Sequence, residues 1–335
     1  MEKLERAGIA VIADLPYNWD KLKGKRLLVS GGTGFIGSFL IDVIRYRNTY
    51  YHDGIRVVSL SRGGGASDDT VQYLKSDITQ PIAYDDDVDF VLHLASNTHP
   101  KQYAEDPVGT IITNIMGCDH LLKIAAEKKA RFLLASSVEI YGQGIDAPVN
   151  EQYSGYIDCN QARAGYNEAK RTCEALCQSY RSQYGVDAVI VRLARIFGAD
   201  KKQDTKAMSQ FMQCALQGED IVLKSQGNQR FSYCYVADAV SGILKVLMDG
   251  NDGEAYNISG LDEGMTLRNY AEYIASLANK NVIMQIEENQ SASKASYALM
   301  DIEKITGLGW VPLYSVKDGL KLTFQIYRER RETSV

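Results

Sequence analysis

The sequence predicts an α/β fold, a doubly wound parallel sheet followed by a smaller, mixed α/β lobe at the C-terminal end. Two observations predict it. Short apolar runs alternate with longer segments of helical periodicity over the first two-thirds of the chain, and a glycine-rich turn joins the first run to the first helical segment. Strands that alternate with helices pair in parallel, because each crossover helix returns the chain to the same end of the sheet.

The elements are predicted in chain order from their apolar spacing. Arg26–Ser30 is a short buried strand, and the apolar residues from Phe35 to Ile44 recur at helical spacing after it. Further strands are predicted at 55–60, before Ser76, and at 89–95, 131–136 and 187–193. Long helices are predicted at 107–129 and 165–184, the first opened by a proline, whose missing N–H would be unpaired there anyway.

The 335 residues divide into three predicted parts. Residues 1–24 show no clear period and are predicted to form an N-terminal extension. Residues 25–195 contain the alternating pattern and are predicted to form a dinucleotide-binding domain with the catalytic residues. Residues 196–335 have shorter elements and more charge, which predicts a lobe that mainly binds substrate.

Composition excludes several classes of function. Lysine and arginine number 37 against 42 aspartates and glutamates, a net charge of −5, which argues against a nucleic-acid partner because phosphates need a concentrated basic face. No apolar run approaches the roughly 20 residues of a bilayer span, and the N-terminus lacks the pattern of a secretory signal. We therefore expect a cytoplasmic protein without a membrane contact. The cysteines and histidines lack metal-ligand spacing, so no metal site is predicted.

The glycine turn has the pattern of a dinucleotide site. Gly31, Gly34 and Gly37 lie between a strand and a helix, where glycines allow a tight turn, a close approach of backbone to pyrophosphate and close helix packing. The N–H groups at the start of the helix, around Phe35 and Ile36, face such a phosphate. The strand–turn–helix context favours this Rossmann-type site over an ordinary glycine-rich turn.

The end of the second strand bears on the choice of cofactor. An acid at this place normally bonds the ribose 2′-hydroxyl, but here the strand ends in Ser61 and Arg62. Because an arginine can pair with a 2′-phosphate, the sequence favours NADP over NAD, the alternative being that Arg62 is simply solvated. Asp77 and Ile78 follow the third strand and are predicted to bracket an adenine ring, the alternative for Asp77 being an exposed loop acid.

A second motif indicates proton chemistry. Tyr166 and Lys170 are four residues apart in a predicted helix, so their side chains share a face. An ammonium beside a phenol lowers the phenol's pKa and makes it a usable base near neutral pH. Ser137 ends a strand about 30 residues earlier, at the sheet edge where ligands bind in open parallel sheets.

Together these motifs resemble the extended short-chain dehydrogenase/reductase superfamily of NAD-dependent epimerases and dehydratases, which modify nucleotide sugars. The resemblance runs from about residue 25 to residue 312 and is closest to the UDP-glucuronate decarboxylase branch. Its residues are the glycine turn, His93-Leu94-Ala95-Ser96, Thr113-Asn114, the segment from Ser137 to Gly142, the segment from Arg163 to Arg171, Ala194-Arg195-Ile196-Phe197-Gly198 and Tyr235-Val236-Ala237-Asp238.

The resemblance implies roles for individual residues. Tyr166 would take the proton of the sugar 4-hydroxyl while a hydride leaves C4, Lys170 would bind the nicotinamide ribose, and Ser137 would orient the hydroxyl. Glu139 matches a glutamate of decarboxylases and dehydratases. Two further sets are implied, Leu94 and Ala95 for the cofactor and Ser96 for the substrate, which would be a nucleotide-diphosphate sugar.

One position separates the possible outcomes. Sugar 4,6-dehydratases place a proton-donating aspartate where this chain has Val138, and a simple 4-epimerase usually needs no acid at Glu139. Decarboxylation of a UDP-uronic acid through a transient 4-keto sugar is therefore favoured. A 4-epimerase, a dehydratase or a 4-reductase remains an alternative, and a non-catalytic dinucleotide sensor or scaffold is the alternative from another class.

Two departures from the family pattern affect the substrate side. Arg195 stands where the family has an asparagine, and Arg230 lies one place early, which leaves Phe231 where an arginine is expected. The candidates for binding the substrate diphosphate are Arg195, Arg230, Lys206 and Lys224, the alternative for each being a solvated surface charge. The long helices at 107–129 and 165–184 resemble those of a four-helix dimer interface, so we expect a homodimer.

Overall fold

The computed structural model describes residues 2–96, 104–200, 206–261, 264–286 and 297–332. Thirteen strands are found in these residues: β1 Arg26–Ser30, β2 Arg56–Ser61, β3 Val71–Lys75, β4 Phe90–His93, β5 Arg131–Ser137, β6 Ala188–Leu193, β7 Arg195–Phe197, β8 Ile221–Leu223, β9 Arg230–Phe231, β10 Tyr233–Tyr235, β11 Ala255–Ile258, β12 Val282–Met284 and β13 Tyr297–Ala298.

Seven of the strands form one parallel sheet in the order β11-β6-β5-β4-β1-β2-β3. The strand order reverses between β1 and β4, which places the carboxyl ends of these two strands at the topological switch point where open parallel sheets bind ligands. The predicted doubly wound parallel sheet is confirmed.

Helices cover both faces of this sheet. Within the described residues they are α1 Lys3–Ala13, α2 Phe35–Tyr51, α3 Pro107–Lys128, α4 Ala164–Tyr184, α5 Ala207–Gln217, α6 Val236–Asp249, α7 Leu267–Leu277, α8 Glu303–Thr306 and α9 Val316–Glu332. The alternation along β5 shows the layering, since Phe132 and Leu134 join the core under α3 and α4, whereas Leu133 and Ala135 join the opposite core under α2 and α6. No helix of the described residues has the length and apolar character of a bilayer span.

The N-terminal residues are more than an extension. Residues 3–13 form α1, whose Ile9, Ile12 and Ala13 are buried in the core beside α2 and α6. Arg330 near the end of α9 pairs with Glu2 and Glu5, at 3.4 and 3.1 Å, and so ties the two ends of the described chain together. The sequence does not predict that α1 packs into the core, because only three residues of this short helix are buried.

The C-terminal residues build two structures. The α6 helix and β11 belong to the central sheet and its covering layer, beyond the boundary predicted at residue 195. The other elements form the mixed lobe, in which β7 pairs with β10, β8 with β12 and β9 with β13, all in parallel. The chain therefore returns to the central sheet at β11, after Arg195 in β7 and Phe231 in β9.

A buried acid in α6 makes stability depend on pH. Asp238 is fully buried and accepts hydrogen bonds from the backbone N–H groups of Leu313 and Tyr314. Burial raises the pKa of Asp238 from 3.8 to about 7, because the carboxylate loses its hydration there. The stabilising contribution of the protonated acid is thus complete below about pH 4 and is lost as the pH rises through 7.

We therefore expect the free energies of unfolding of the wild type and of Asp238→Asn to diverge with pH. The wild-type value minus the variant value should fall by up to about 4 kcal/mol between pH 4 and pH 8, because only the wild type must bury a new charge. Urea unfolding at a series of pH values measures both. A difference that stays constant over this range would show that Asp238 does not titrate as described.

Candidate active site

The glycine turn is shaped to bring backbone close to a ligand. Gly31 has a φ of 78°, and a Cβ there would lie 2.8 Å from the backbone nitrogen of Ala95. A Cβ on Gly37 would lie 2.7 Å from Cα of Gly32 and would overlap the carbonyl oxygen of Gly31. Gly34 caps α2 without a side chain, so the first N–H groups of the helix point at the turn. Such a cradle fits the pyrophosphate of a dinucleotide.

The ends of β2 and β3 lie at the sheet edge beyond the glycine turn. The Ser61 hydroxyl donates to the carbonyl oxygen of Gly64 at 3.3 Å, and Arg62 next to it is exposed. Two hydrogen bonds from Thr79, together with the nearby charge of Arg62, hold the pKa of Asp77 below its usual range. Ser61, Arg62 and Asp77 therefore lie at one end of the sheet edge.

Ile78 differs from its sequence neighbour Asp77. Its side chain is 7% exposed and packs on α3, where a Cβ on Gly117 would lie 2.6 Å from Ile78 Cδ1. Its carbonyl oxygen lies 2.9 Å from His120 Nδ1, which ties the loop to the same helix. Asp77 is exposed whereas Ile78 belongs mainly to the packed layer, so the two residues that the sequence pairs face different surroundings.

The residues after β4 border the glycine turn. The N–H of Leu94 donates to Ser30 O at 3.1 Å and that of Ala95 to Ser30 Oγ at 3.3 Å. Ser96 donates its hydroxyl to Asn114 Oδ1 of α3 at 2.9 Å. These contacts place the predicted cofactor residues Leu94 and Ala95, and the predicted substrate residue Ser96, at the switch point of the sheet.

The predicted catalytic residues lie around the end of β5. Lys170 is buried and donates from Nζ to the carbonyl oxygen of Ala135 at 2.9 Å. Tyr166, one turn earlier in α4, is 6% exposed. Ser137 ends β5, and its Oγ accepts the N–H of Glu139 at 3.2 Å. The structure thus brings Ser137, Tyr166 and Lys170 to one region of the sheet edge.

The burial of Lys170 changes the pKa of its ammonium group. Removal from water lowers the pKa of Lys170, since the ammonium loses its hydration. An anion beside it offsets this loss, so an ionised phenol on the same face of α4 and the ammonium stabilise one another. This arrangement suits a tyrosine that gives up and takes back a proton.

A short 3₁₀ turn, Val138–Tyr141, holds Glu139 in the site. Asn167 donates from Nδ2 to Glu139 O at 2.8 Å, and Arg171 donates from Nε to Ile140 O at 2.8 Å. The sequence contains a signal for these two residues, because Asn167 and Arg171 repeat the four-residue spacing of Tyr166 and Lys170 one place later. They fix the turn against the helix that bears the tyrosine and the lysine.

The two substrate-side arginines have different partners. Arg195 Nη2 lies 3.0 Å from Glu139 Oε1, and its guanidinium lies 3.8 Å from the centre of the Phe231 ring. Arg230 Nη1 lies instead 2.9 Å from Asp146 Oδ1. Both were candidates for the substrate diphosphate, and each has a carboxylate partner here. In the sequence Phe231 is only a departure from the family pattern, and its contact with Arg195 depends on the fold.

A charged network behind β5 and β6 supports this region. Arg192 binds both carboxylate oxygens of Glu174, at 3.1 and 2.7 Å, and also donates to the Tyr141 hydroxyl at 3.0 Å. The same hydroxyl donates to Asn257 Oδ1 at 2.6 Å. Because the two-point contact between a guanidinium and a carboxylate has a specific geometry, the network fixes the end of the 3₁₀ turn relative to β6 and β11.

Comparisons with known proteins agree with this geometry. The profile of the NAD dependent epimerase/dehydratase family matches residues 27–259. UDP-glucuronic acid decarboxylase 3 of Arabidopsis thaliana is 32% identical over 315 residues, which cover 91% of this chain and 90% of that protein. UDP-glucuronic acid decarboxylase 1 of Danio rerio is also 32% identical, over 92% of this chain and 74% of that protein.

Solved structures share the fold. A UDP-glucose 4-epimerase from Thermotoga maritima superposes with a TM-score of 0.76 at 22% identity, over 91% of this chain and 99% of that chain. A dTDP-glucose 4,6-dehydratase from Streptomyces venezuelae gives a TM-score of 0.76 at 24% identity, over 92% and 98%. The profile and the relatives show that this chain belongs to the NAD-dependent epimerase/dehydratase family, enzymes of the extended short-chain dehydrogenase/reductase class.

Proposed function

We propose that this enzyme oxidises C4 of a nucleotide sugar transiently and decarboxylates a UDP-uronic acid. The observation that supports it most is the placement of Glu139. Glu139 lies two residues after Ser137, at the end of β5, and pairs with Arg195. Val138, which lies between Ser137 and Glu139, is buried and has no proton to donate. The similarity to UDP-glucuronic acid decarboxylases over nine-tenths of the chain points the same way.

The residues of the site divide the work. When bound, a nicotinamide cofactor would supply the acceptor, and later the donor, of the hydride at C4 of the sugar. Lys170 stabilises the phenolate form of Tyr166, this phenolate takes the proton of the 4-hydroxyl and becomes a phenol, and Ser137 hydrogen-bonds the same hydroxyl. The glycine turn at Gly31, Gly34 and Gly37 holds the pyrophosphate through the N–H groups of α2.

The loss of carbon dioxide follows from the 4-keto group. With C4 oxidised, the uronic acid is a β-keto acid, and its C5–C6 bond breaks with the electron pair moving to the C4 oxygen as an enolate. Carbon dioxide leaves, and the enolate collapses to the ketone as a proton from water adds at C5, which consumes one proton overall. The hydride then returns to C4, and Tyr166 returns its proton to the C4 oxygen, so neither the cofactor nor the tyrosine changes overall.

The test uses UDP-glucuronate labelled with ¹³C at C6. We expect labelled carbon dioxide and a nucleotide pentose, without a net change in the absorbance of the reduced nicotinamide. A C4 epimer without carbon dioxide would identify a 4-epimerase instead, and net consumption of reduced cofactor would identify a 4-reductase. Binding without turnover of any nucleotide sugar would contradict catalysis and favour a sensor or scaffold.

We infer NADP as the preferred cofactor from the end of β2. Ser61 leaves no acid to bond a ribose 2′-hydroxyl, and the exposed Arg62 provides a cation for a 2′-phosphate. The dinucleotide released on denaturation should be NADP by mass spectrometry, and Arg62→Gln should lower the ratio of NADP to NAD affinity about tenfold. Arg56→Gln, at the opposite end of the same strand, is the control. Release of NAD alone would contradict the inference.

We propose a homodimer formed through α3 and α4. Val108, Ile112 and Met116 are exposed and four residues apart, so they form one apolar stripe along α3, and Tyr184 at the end of α4 is exposed as well. The stripe of one copy covers that of a second. Sedimentation should give twice the chain mass of 37.2 kDa, and a mass of one chain at micromolar concentration would contradict the proposal.

A further inference from the structure

The guanidinium of Arg195, in β7, lies beside Glu139. Arg195 is the first residue of β7, and its N–H donates to Ser232 O at 3.1 Å as part of the pairing with β10. The resemblance to the family puts an asparagine at this position and an arginine at the position of Phe231. In this chain the cation stands on β7 and the ring on β9.

We propose that Arg195, held against Phe231, makes this site accept a sugar carboxylate and thereby selects a nucleotide uronate over a neutral nucleotide hexose. The inference rests on the proposed function, because it assigns the residue that recognises the acid group of that substrate. It differs from a role in binding the diphosphate, which every nucleotide-diphosphate sugar contains.

Three observations support the assignment. Arg195 Nη2 lies 3.0 Å from Glu139 Oε1, so the negative charge of the acid is already balanced. The Phe231 ring lies 3.8 Å from the guanidinium and restricts its orientation by a cation–π contact. The second terminal nitrogen, Nη1, is buried and donates to no acceptor in the described parts of the chain. An unpaired buried donor of a charged group is costly, and an acceptor on a ligand removes that cost.

Electrostatics explain why the pair favours a uronate. Glu139 alone would repel a second carboxylate, because like charges disfavour each other strongly at short range. Arg195 neutralises Glu139 and leaves further N–H donors in the fork that matches a carboxylate. The neutral hydroxymethyl group of a hexose has no charge with which the guanidinium of Arg195 could pair. The side chains of Arg195 and Glu139 are 27% and 25% exposed, so they are partly shielded from water and a ligand can still reach them.

The test measures binding by calorimetry in the Tyr166→Phe holoenzyme, which does not consume the ligand. The ligands are UDP-glucuronate, UDP-glucose and UDP, and the variants are Arg195→Asn, Arg195→Lys and Phe231→Ala. Arg181→Gln is the control, since Arg181 also pairs with a carboxylate, Asp252, but lies near the far end of α4. Retained dinucleotide and the thermal midpoint are compared first for every variant.

We expect the parent to bind UDP-glucuronate at least about tenfold more tightly than UDP-glucose. Arg195→Asn should abolish this preference and change the affinities for UDP-glucose and UDP less than about threefold. Arg195→Lys should keep part of the preference, Phe231→Ala should lose part of it, and Arg181→Gln should leave it unchanged. If Arg195→Asn failed to retain dinucleotide, the lysine variant and Phe231→Ala would still test the assignment.

Two results would overturn it. An equal loss for all three ligands in Arg195→Asn would assign the arginine to the diphosphate, and an unchanged preference would remove it from recognition. The labelled-carbon-dioxide assay of the wild type separates this inference from the proposed function. A preference that depends on Arg195 without release of carbon dioxide would leave the inference standing and remove the decarboxylase, and the reverse pattern would do the opposite.

Discussion

Replacement of Tyr166 by phenylalanine is expected to lower turnover of the nucleotide sugar by about 10³-fold, the usual contribution of a positioned general base. The variant lacks only a hydroxyl, so the packing of α4 and the binding of dinucleotide should persist. Steady-state kinetics measure the effect, with KM for the sugar nucleotide changing far less than kcat, because the proton transfer is part of the chemical step.

A matched control for this variant lies on the same helix. Tyr184→Phe removes a hydroxyl from an exposed tyrosine near the end of α4, and it should leave kcat within about twofold. Retention of more than a tenth of the wild-type kcat in Tyr166→Phe would mean that another group takes the proton. The role of Lys170 as the stabiliser of the phenolate would then fail as well.

Replacement of Gly37 by valine is expected to abolish retention of the dinucleotide. Its Cβ would overlap the carbonyl oxygen of Gly31 and lie 2.7 Å from Cα of Gly32, and both are backbone atoms that cannot rotate away. The helix must therefore shift away from the turn, which destroys the phosphate cradle and destabilises the fold by at least about 1–3 kcal/mol. Cofactor content of the purified protein and urea unfolding measure the two effects.

Gly8→Ala serves as the control for the glycine variant. A Cβ on Gly8 in α1 meets no atom within 4 Å beyond the adjacent backbone of its own helix, so alanine should raise stability slightly through its helix propensity. It should leave the dinucleotide content unchanged. If Gly37→Val retained full dinucleotide, the close approach of α2 to the glycine turn would not be needed for binding.

Features of the fold with a local cause were predictable from the sequence. The strand Arg26–Ser30 was predicted with the bounds that the structure has, because a run of apolar residues ending at a glycine turn has few other solutions. The helix with Tyr166 and Lys170 begins at Ala164, one residue before the predicted start. In both cases neighbours in the sequence decide the conformation.

Features that depend on distant partners were not predictable. Glu139 and Arg195 are 56 residues apart, and their contact depends on the pairing of β7 with β10. The position of β11 at the edge of the central sheet likewise depends on its pairing with β6, which no local sequence pattern predicts. The burial of α1 follows from the layer that α2 and α6 form, so the first residues looked like an extension.

We propose that C4 of the sugar gives up a hydride and regains it within one bound complex, with Tyr166 exchanging the proton. UDP-glucuronate that contains deuterium at C4 tests it most directly, by mass spectrometry and nuclear magnetic resonance of the product. We predict release of carbon dioxide, retention of deuterium at C4 of the pentose and a slower reaction than with the unlabelled sugar. Carbon dioxide released with loss of the deuterium to solvent, or no carbon dioxide at all, would contradict transient oxidation at C4 followed by decarboxylation.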